Sequence, residues 1–250
     1  MIQLFCFFFF LASPAILLSQ DVDQLIKQAQ QQESSFHENE AFLSYAQILK
    51  QQPDQLIALC KCSELSSRIG ARQAGKDKMQ EYFIAARNYA SAALRRDPRS
   101  SDANFVMALA LGRLSLIAGT RERIVLARDI KKYAEISIRL DPSNFKPYHV
   151  LGKWNYEVSD LNVAERSIAK IIYGGLPPAS LKQCVFYFEK SRSLNPAFLL
   201  NYLELARAYH RDHDNPKAIE QLQTLLKLPN MIYDDTRVKT TAMDLLKQWQ

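Results

Sequence analysis

Glycine is scarce in this chain, 7 residues in 250. The alternating β-branched runs that strands need are also missing, replaced by long stretches of Ala, Leu, Lys, Glu and Gln. Both absences favour helix over sheet. Cysteine is sparse: Cys6 sits in the leading apolar block, leaving Cys60, Cys62 and Cys184. An odd number does not build a disulfide framework. Cys60 and Cys62, two apart on a predicted helix, point to different sides and do not bridge each other; small buried apolar residues is their expected role. Charge is absent from the first twenty residues. Catalytic signatures are absent as well: no Gly-x-Ser-x-Gly elbow and no His-Glu-x-x-His helix occurs.

Two local patterns imitate sites and fail on chemistry. Gly70 to Asp77 resembles a phosphate loop, but Asp77 stands where Ser or Thr must follow the lysine, and helix rather than strand precedes Gly70. His210 and His213, with Asp212 and Asp214, offer donors at helical spacing, yet no third zinc ligand has a claim. They fit a polar turn. The reading is therefore non-enzymatic, with no cofactor and no metal.

What is present starts with an apolar block from Met1 to Leu18, with Phe7 to Phe10 at its centre. It reads as a signal peptide over residues 1–19, cleaved before Gln20, with export to the periplasm or outside the cell. A retained membrane anchor and a buried first helix are the alternatives. The net charge is +6, and basic residues cluster in the first half, as at Arg121, Arg123, Arg128, Lys131 and Lys132. Interspersed acids make a solvated helix face the plain reading; an acidic partner or an anionic lipid surface is the functional one. Nucleic acid is not expected, since aromatics are not interleaved with the basic residues.

Prolines punctuate the rest. Pro53, Pro98, Pro142, Pro196 and Pro229 each mark the end of a helix. Counting back twelve, eight and five residues gives Ala41, Tyr45, Ile48; Ala86, Ala90, Ala93; Ile130, Ala134, Ser137; and Cys184, Phe188, Ser191. Ala218, Leu222 and Leu225 repeat the pattern one residue closer to Pro229. These fall on one helical face and match the second helix of a tetratricopeptide repeat. Counting forward six gives the first-helix pattern, nearly ideal in Tyr202, Leu205, Ala206, Tyr209 and recognisable in Tyr148, Leu151, Gly152, Asn155. The fold expected over residues 20–250 is an all-α, tetratricopeptide-type stack of helical hairpins, an α-solenoid, closed by a capping helix over residues 236–249.

Three hairpins exceed the standard length. The longest insertion, residues 156–181, predicts an added helix over residues 160–173, whose Leu161/Ile168/Ile172 stripe is amphipathic and which stops at Gly174-Gly175. Bracing the stack and lining a ligand cavity are its two readings.

Leu151-Gly152-Lys153-Trp154, Tyr156, Val158-Ser159, Leu161 and Glu165 lead into Tyr173-Gly174, Pro177-Pro178, Phe188, Asn195-Pro196, Asn201-Tyr202, Leu205-Ala206, Tyr209 and Leu228-Pro229. In this order they resemble the regulator of microtubule dynamics family, a divergent tetratricopeptide group, over about residues 85–250. Animal members are described as microtubule-associated, and one as a mitochondrion–endoplasmic-reticulum tether whose repeat domain binds phospholipid. The resemblance implies protein or lipid binding. The expected function is a scaffold holding a protein or peptide partner; the alternative is a phospholipid-binding or lipid-transfer module with an apolar cavity, and transient contact with a membrane surface is compatible with either. The candidate ligand or partner surface is Tyr148, Trp154, Leu161, Ile168, Ile172, Tyr202 and Tyr209.

Overall fold

The computed structural model describes residues 14–250, so most of the expected leader, residues 1–13, lies outside the described residues. Among the described residues there are twelve helices and no strand. They pair as hairpins: α1 (Pro14–Ser34) with α2 (Glu38–Gln51), α3 (Leu56–Ala71) with α4 (Lys76–Arg96), and α5 (Ser101–Ser115) with α6 (Thr120–Leu140). Next, α7 (Phe145–Ser159) pairs with α9 (Leu181–Leu194), α8 (Val163–Tyr173) being inserted between them. The last pair is α10 (Leu199–Arg211) with α11 (Asn215–Lys227), capped by α12 (Asp235–Trp249).

Each second helix stops two residues short of its proline, because the proline lacks an N–H and disfavours helix in the residue before it. The polar residue in front then folds the turn. Asp97 Oδ1 accepts from the Arg99 N–H at 2.9 Å, Asp141 Oδ1 from Ser143 at 2.9 Å, and Asn195 Oδ1 from Ala197 at 3.0 Å. Six residues after the proline, a side chain returns to it. Tyr148 Oη donates to the Pro142 carbonyl at 3.2 Å, Tyr202 Oη to Pro196 at 3.0 Å, and Asn104 Nδ2 to Pro98 at 3.0 Å. Three turns are thus locked by one device at equivalent positions.

Every second-helix position picked out by the proline count is buried. So are Tyr202, Leu205, Ala206 and Tyr209 of the first-helix pattern. Burying each large aliphatic side chain in this set stabilises the stack by roughly 1.5–3 kcal/mol. Small residues set the helix spacing. A Cβ built on Gly152 would lie 2.5 Å from the Phe188 ring, so α7 and α9 approach as closely as glycine permits. Gly70, at the start of the phosphate-loop imitation, plays the same part beneath Tyr82 and Phe83.

The extra length takes two forms. In the second and third hairpins it goes into long second helices, α4 and α6 having 21 residues each against 13 in α11. In the fourth it becomes α8, which packs on α6. This helix starts at Val163, later than 160, because the Asn162 side chain caps the Glu165 N–H and the Glu165 side chain returns to the Asn162 N–H. It ends at Gly174, in the left-handed conformation.

Successive first helices touch: α3 packs on α5, α5 on α7, α7 reaches α10, and α10 packs on α12. Successive second helices are not in comparable contact. The stack therefore curves with the first helices on its inner side.

Candidate functional site

The inner side is lined with charge. Glu33 and Glu38, at the first turn, receive Lys61 and Arg68 of α3 and Arg72 just after it: Lys61–Glu33 2.9 Å, Arg68–Glu33 2.9 Å, Arg72–Glu38 2.8 Å. Lys146 of α7 crosses the Phe105 ring of α5 to reach Glu64 of α3 at 2.9 Å. Burial pushes the Glu64 carboxyl up, but Lys146, Lys61 and Arg68 outweigh it and hold it well below the usual carboxylate range. Glu204 of α10 is clasped by Lys153 at 2.9 Å and Arg207 at 2.7 Å. There too burial is outweighed, and Lys153 and Arg207 keep the carboxyl ionised. Beside it, His149 Nδ1 lies 3.0 Å from Asn201 Oδ1, and burial pushes this imidazole down to about 4.

The turn after α3 and the turn before α12 meet at this face. Arg72 Nη1 donates to Asp234 Oδ2 at 3.0 Å, and its guanidinium lies 4.7 Å over the Tyr233 ring. Between them opens a cleft of about 630 Å³, lined by Phe36, Arg72, Tyr233, Arg237 and Thr240 among others. Phe36 holds a left-handed φ of 65° there.

The residues expected to form the partner surface are dispersed. Tyr148, Trp154, Tyr202 and Tyr209 are all at most 7% exposed. Their polar tips are also engaged, Trp154 Nε1 donating to the Ala127 carbonyl and Tyr209 Oη to Glu189. Leu161, Ile168 and Ile172 are half-buried on the α8 side of the stack, away from the charged face. The other side of α8 carries Val163 and Ile171, both more than 80% exposed. His210 stacks on Trp249 at 4.0 Å and bonds Asn215, while His213 holds a left-handed turn.

The inner charges escaped the pattern reading, although a signal existed. Lys61, Glu64 and Arg68, like Lys146, His149 and Lys153, recur every three or four residues on helices whose other side is core.

Residues 18–250 match the family described as Regulator of microtubule dynamics protein 1-3. The chain belongs to the regulator of microtubule dynamics family. It is 30% identical to Regulator of microtubule dynamics protein 3 of Xenopus laevis over 158 residues, 63% of this chain and 34% of that protein. It is 27% identical to protein 1 of Bos taurus over 185 residues, 73% of the chain and 58% of the relative. The match to protein 1 of Caenorhabditis elegans is 26% over 196 residues, 78% and 84%. The chain thus spans about a third of the frog relative and somewhat more than half of the bovine one. Among solved structures, a tetratricopeptide protein of Thermus thermophilus superposes with a TM-score of 0.66 at 14% identity, covering 89% of this chain and 98% of the other; it shows the fold.

These matches correct the expected localisation. The relatives are animal regulators of microtubule dynamics, and microtubules lie inside the cell, so export to the periplasm or outside is not retained. Cleavage before Gln20 would also cut within α1, which runs unbroken from Pro14. The anchor alternative falls largely on residues 1–13, outside the description; among the described residues, no helix is long and apolar enough to cross a membrane.

Proposed function

We propose that this regulator of microtubule dynamics family member is a non-enzymatic scaffold that holds a protein partner along the inner groove of its helical stack. The observation that carries the reading is the row of charged side chains on the inner side of α3, α7 and α10, which Lys146 carries across α5. Extended peptides are held by polar groups spaced along such a groove, whereas an acyl chain needs a continuous apolar wall. Lys146, bridging from α7 to α3, puts charge where that wall would have to be. Family membership supports a partner that works with microtubules.

The test places a photo-crosslinking amino acid at Thr240, exposed on the cleft, or at Asn88, exposed on α4. Irradiation in cells is expected to give a discrete protein adduct from position 240 and none from 88. Equal labelling at both, or lipid alone at 240, overturns the reading.

A further inference from the structure

Arg113 lies in the last turn of α5 and has no counter-ion among the described residues. Its Nε is buried without an acceptor, and no carboxylate among the described residues lies within ion-pair distance of it. The residue as a whole is only half-buried, so the guanidinium is not sealed in the core. The charges that act on it come from across the groove: Asp234 and Glu204 in its favour, Arg237 and Arg68 against. Both of these carboxylates are already doubly engaged. Asp234 is shared by Arg72 at 3.0 Å and Arg237 at 3.3 Å, and Glu204 by Lys153 and Arg207. Among the described residues the groove therefore holds more cations than acids, and Arg113 is a cation there with no acid in ion-pair reach.

A half-buried charge with no counter-ion in reach is destabilising, and a buried donor with no acceptor adds to the cost. A guanidinium edge presents two parallel N–H groups that match a carboxylate, and an added anion would also relieve the repulsion from Arg68 and Arg237. We propose that Arg113 receives a carboxylate from an acidic peptide segment lying in the inner groove. This rests on the scaffold reading above and adds the partner's chemistry to it. A peptide is favoured over a lipid headgroup because the groups that act on Arg113 are the paired charges of Asp234, Glu204, Arg237 and Arg68, which offer further partners to the polar backbone and side chains of a peptide.

The experiment titrates the intact chain into fluorescein-labelled hexaglutamate at low salt and follows anisotropy. Saturable binding is expected, with hexalysine inert. R113Q weakens it about tenfold or more, the loss of one charge-assisted fork, R113K falls in between, and R121Q on the surface of α6 matches the parent. R113Q melts at the same temperature as the parent or higher, which a merely structural arginine would not allow. Equal binding by R113Q and parent, no binding by the parent, or Arg113-dependent binding to phosphatidylserine vesicles without hexaglutamate binding each overturns the proposal. A protein adduct at position 240 alongside a negative peptide titration removes the acidic ligand and leaves the scaffold; loss of both removes both.

Discussion

Gly152 and Phe188 stand so close that a single methyl on the glycine would fall 2.5 Å from the ring, and the ring, fully buried, has no free side to turn toward. Gly152→Ala is expected to destabilise the fold by about 1–3 kcal/mol, the range for overpacking a filled core. Thermal unfolding checks it; an unchanged midpoint would mean that α7 and α9 can move apart freely. Ala218→Leu, at a fully buried small position of α11, is expected to cost a similar amount.

Tyr202 and the Pro196 carbonyl give a second, more delicate test. Tyr202→Phe keeps the ring and removes only the hydrogen bond that closes the turn. The expected loss is about 0.5–1.5 kcal/mol. Tyr148→Phe, at the equivalent position in the preceding repeat, should cost about as much, and urea unfolding of the two variants side by side decides whether the device is shared.

The proline frame and the small-residue contacts were legible because each follows from a local rule: proline ends a helix, and a small side chain at a fixed distance before it admits a neighbour. The proline count puts Phe188 at the bulky position of its second helix and Gly152 at the small position of its first. The groove was not legible in the same way. Lys146 meets Glu64 across an intervening helix, 82 residues away in sequence, and nothing local to either residue announces the other. The aromatic residues chosen as a surface were misleading for a physical reason. Tyr and Trp suit interfaces because they are large with one polar end, and the same property suits a core position that must also bond a backbone carbonyl. In the first hairpin Ala41, Tyr45 and Ile48 mark α2, but its partner α1 has no proline frame to announce it and begins within the apolar block.

His149 gives a pH signature. Its folded pKa, near 4, lies below the ordinary 6.5 because burial disfavours the imidazolium. The unfolded chain therefore takes up a proton in a range where the folded chain does not, so stability falls as the pH drops from above 6.5 toward 4. The full effect is at most about 3 kcal/mol. The Glu64 and Glu204 carboxyls, held low in the folded chain, add a loss of the same sign once their unfolded counterparts begin to take up protons below about pH 5.5, so the interval from about 6.5 to about 5.5 isolates His149. H149Q is expected to flatten the stability curve over that interval, and a variant with the parent's slope would remove His149 as its source.

The two sides of α8 separate bracing from exposure. Ile168 is half-buried, so Ile168→Ala should cost less than the about 2–5 kcal/mol of a fully buried isoleucine, yet measurably. Ile171, 84% exposed, should give a change within about 0.5 kcal/mol. Chemical denaturation of both settles the ranking; equal losses would mean that the exposed side is packed in solution.

Arg72 and Asp234 are 162 positions apart and hydrogen-bonded. In an ordinary repeat stack each unit touches only its neighbours, so the ends can peel away one hairpin at a time. Here α2 and α3 are tied through Arg72 to the turn before α12, so peeling the second hairpin from one side or lifting that turn from the other breaks the same contact. The chain is thereby drawn from a row of nearly independent units toward a loop that melts as one. In amide exchange, the outermost helices would report protection closer to that of the middle than their position in the sequence suggests.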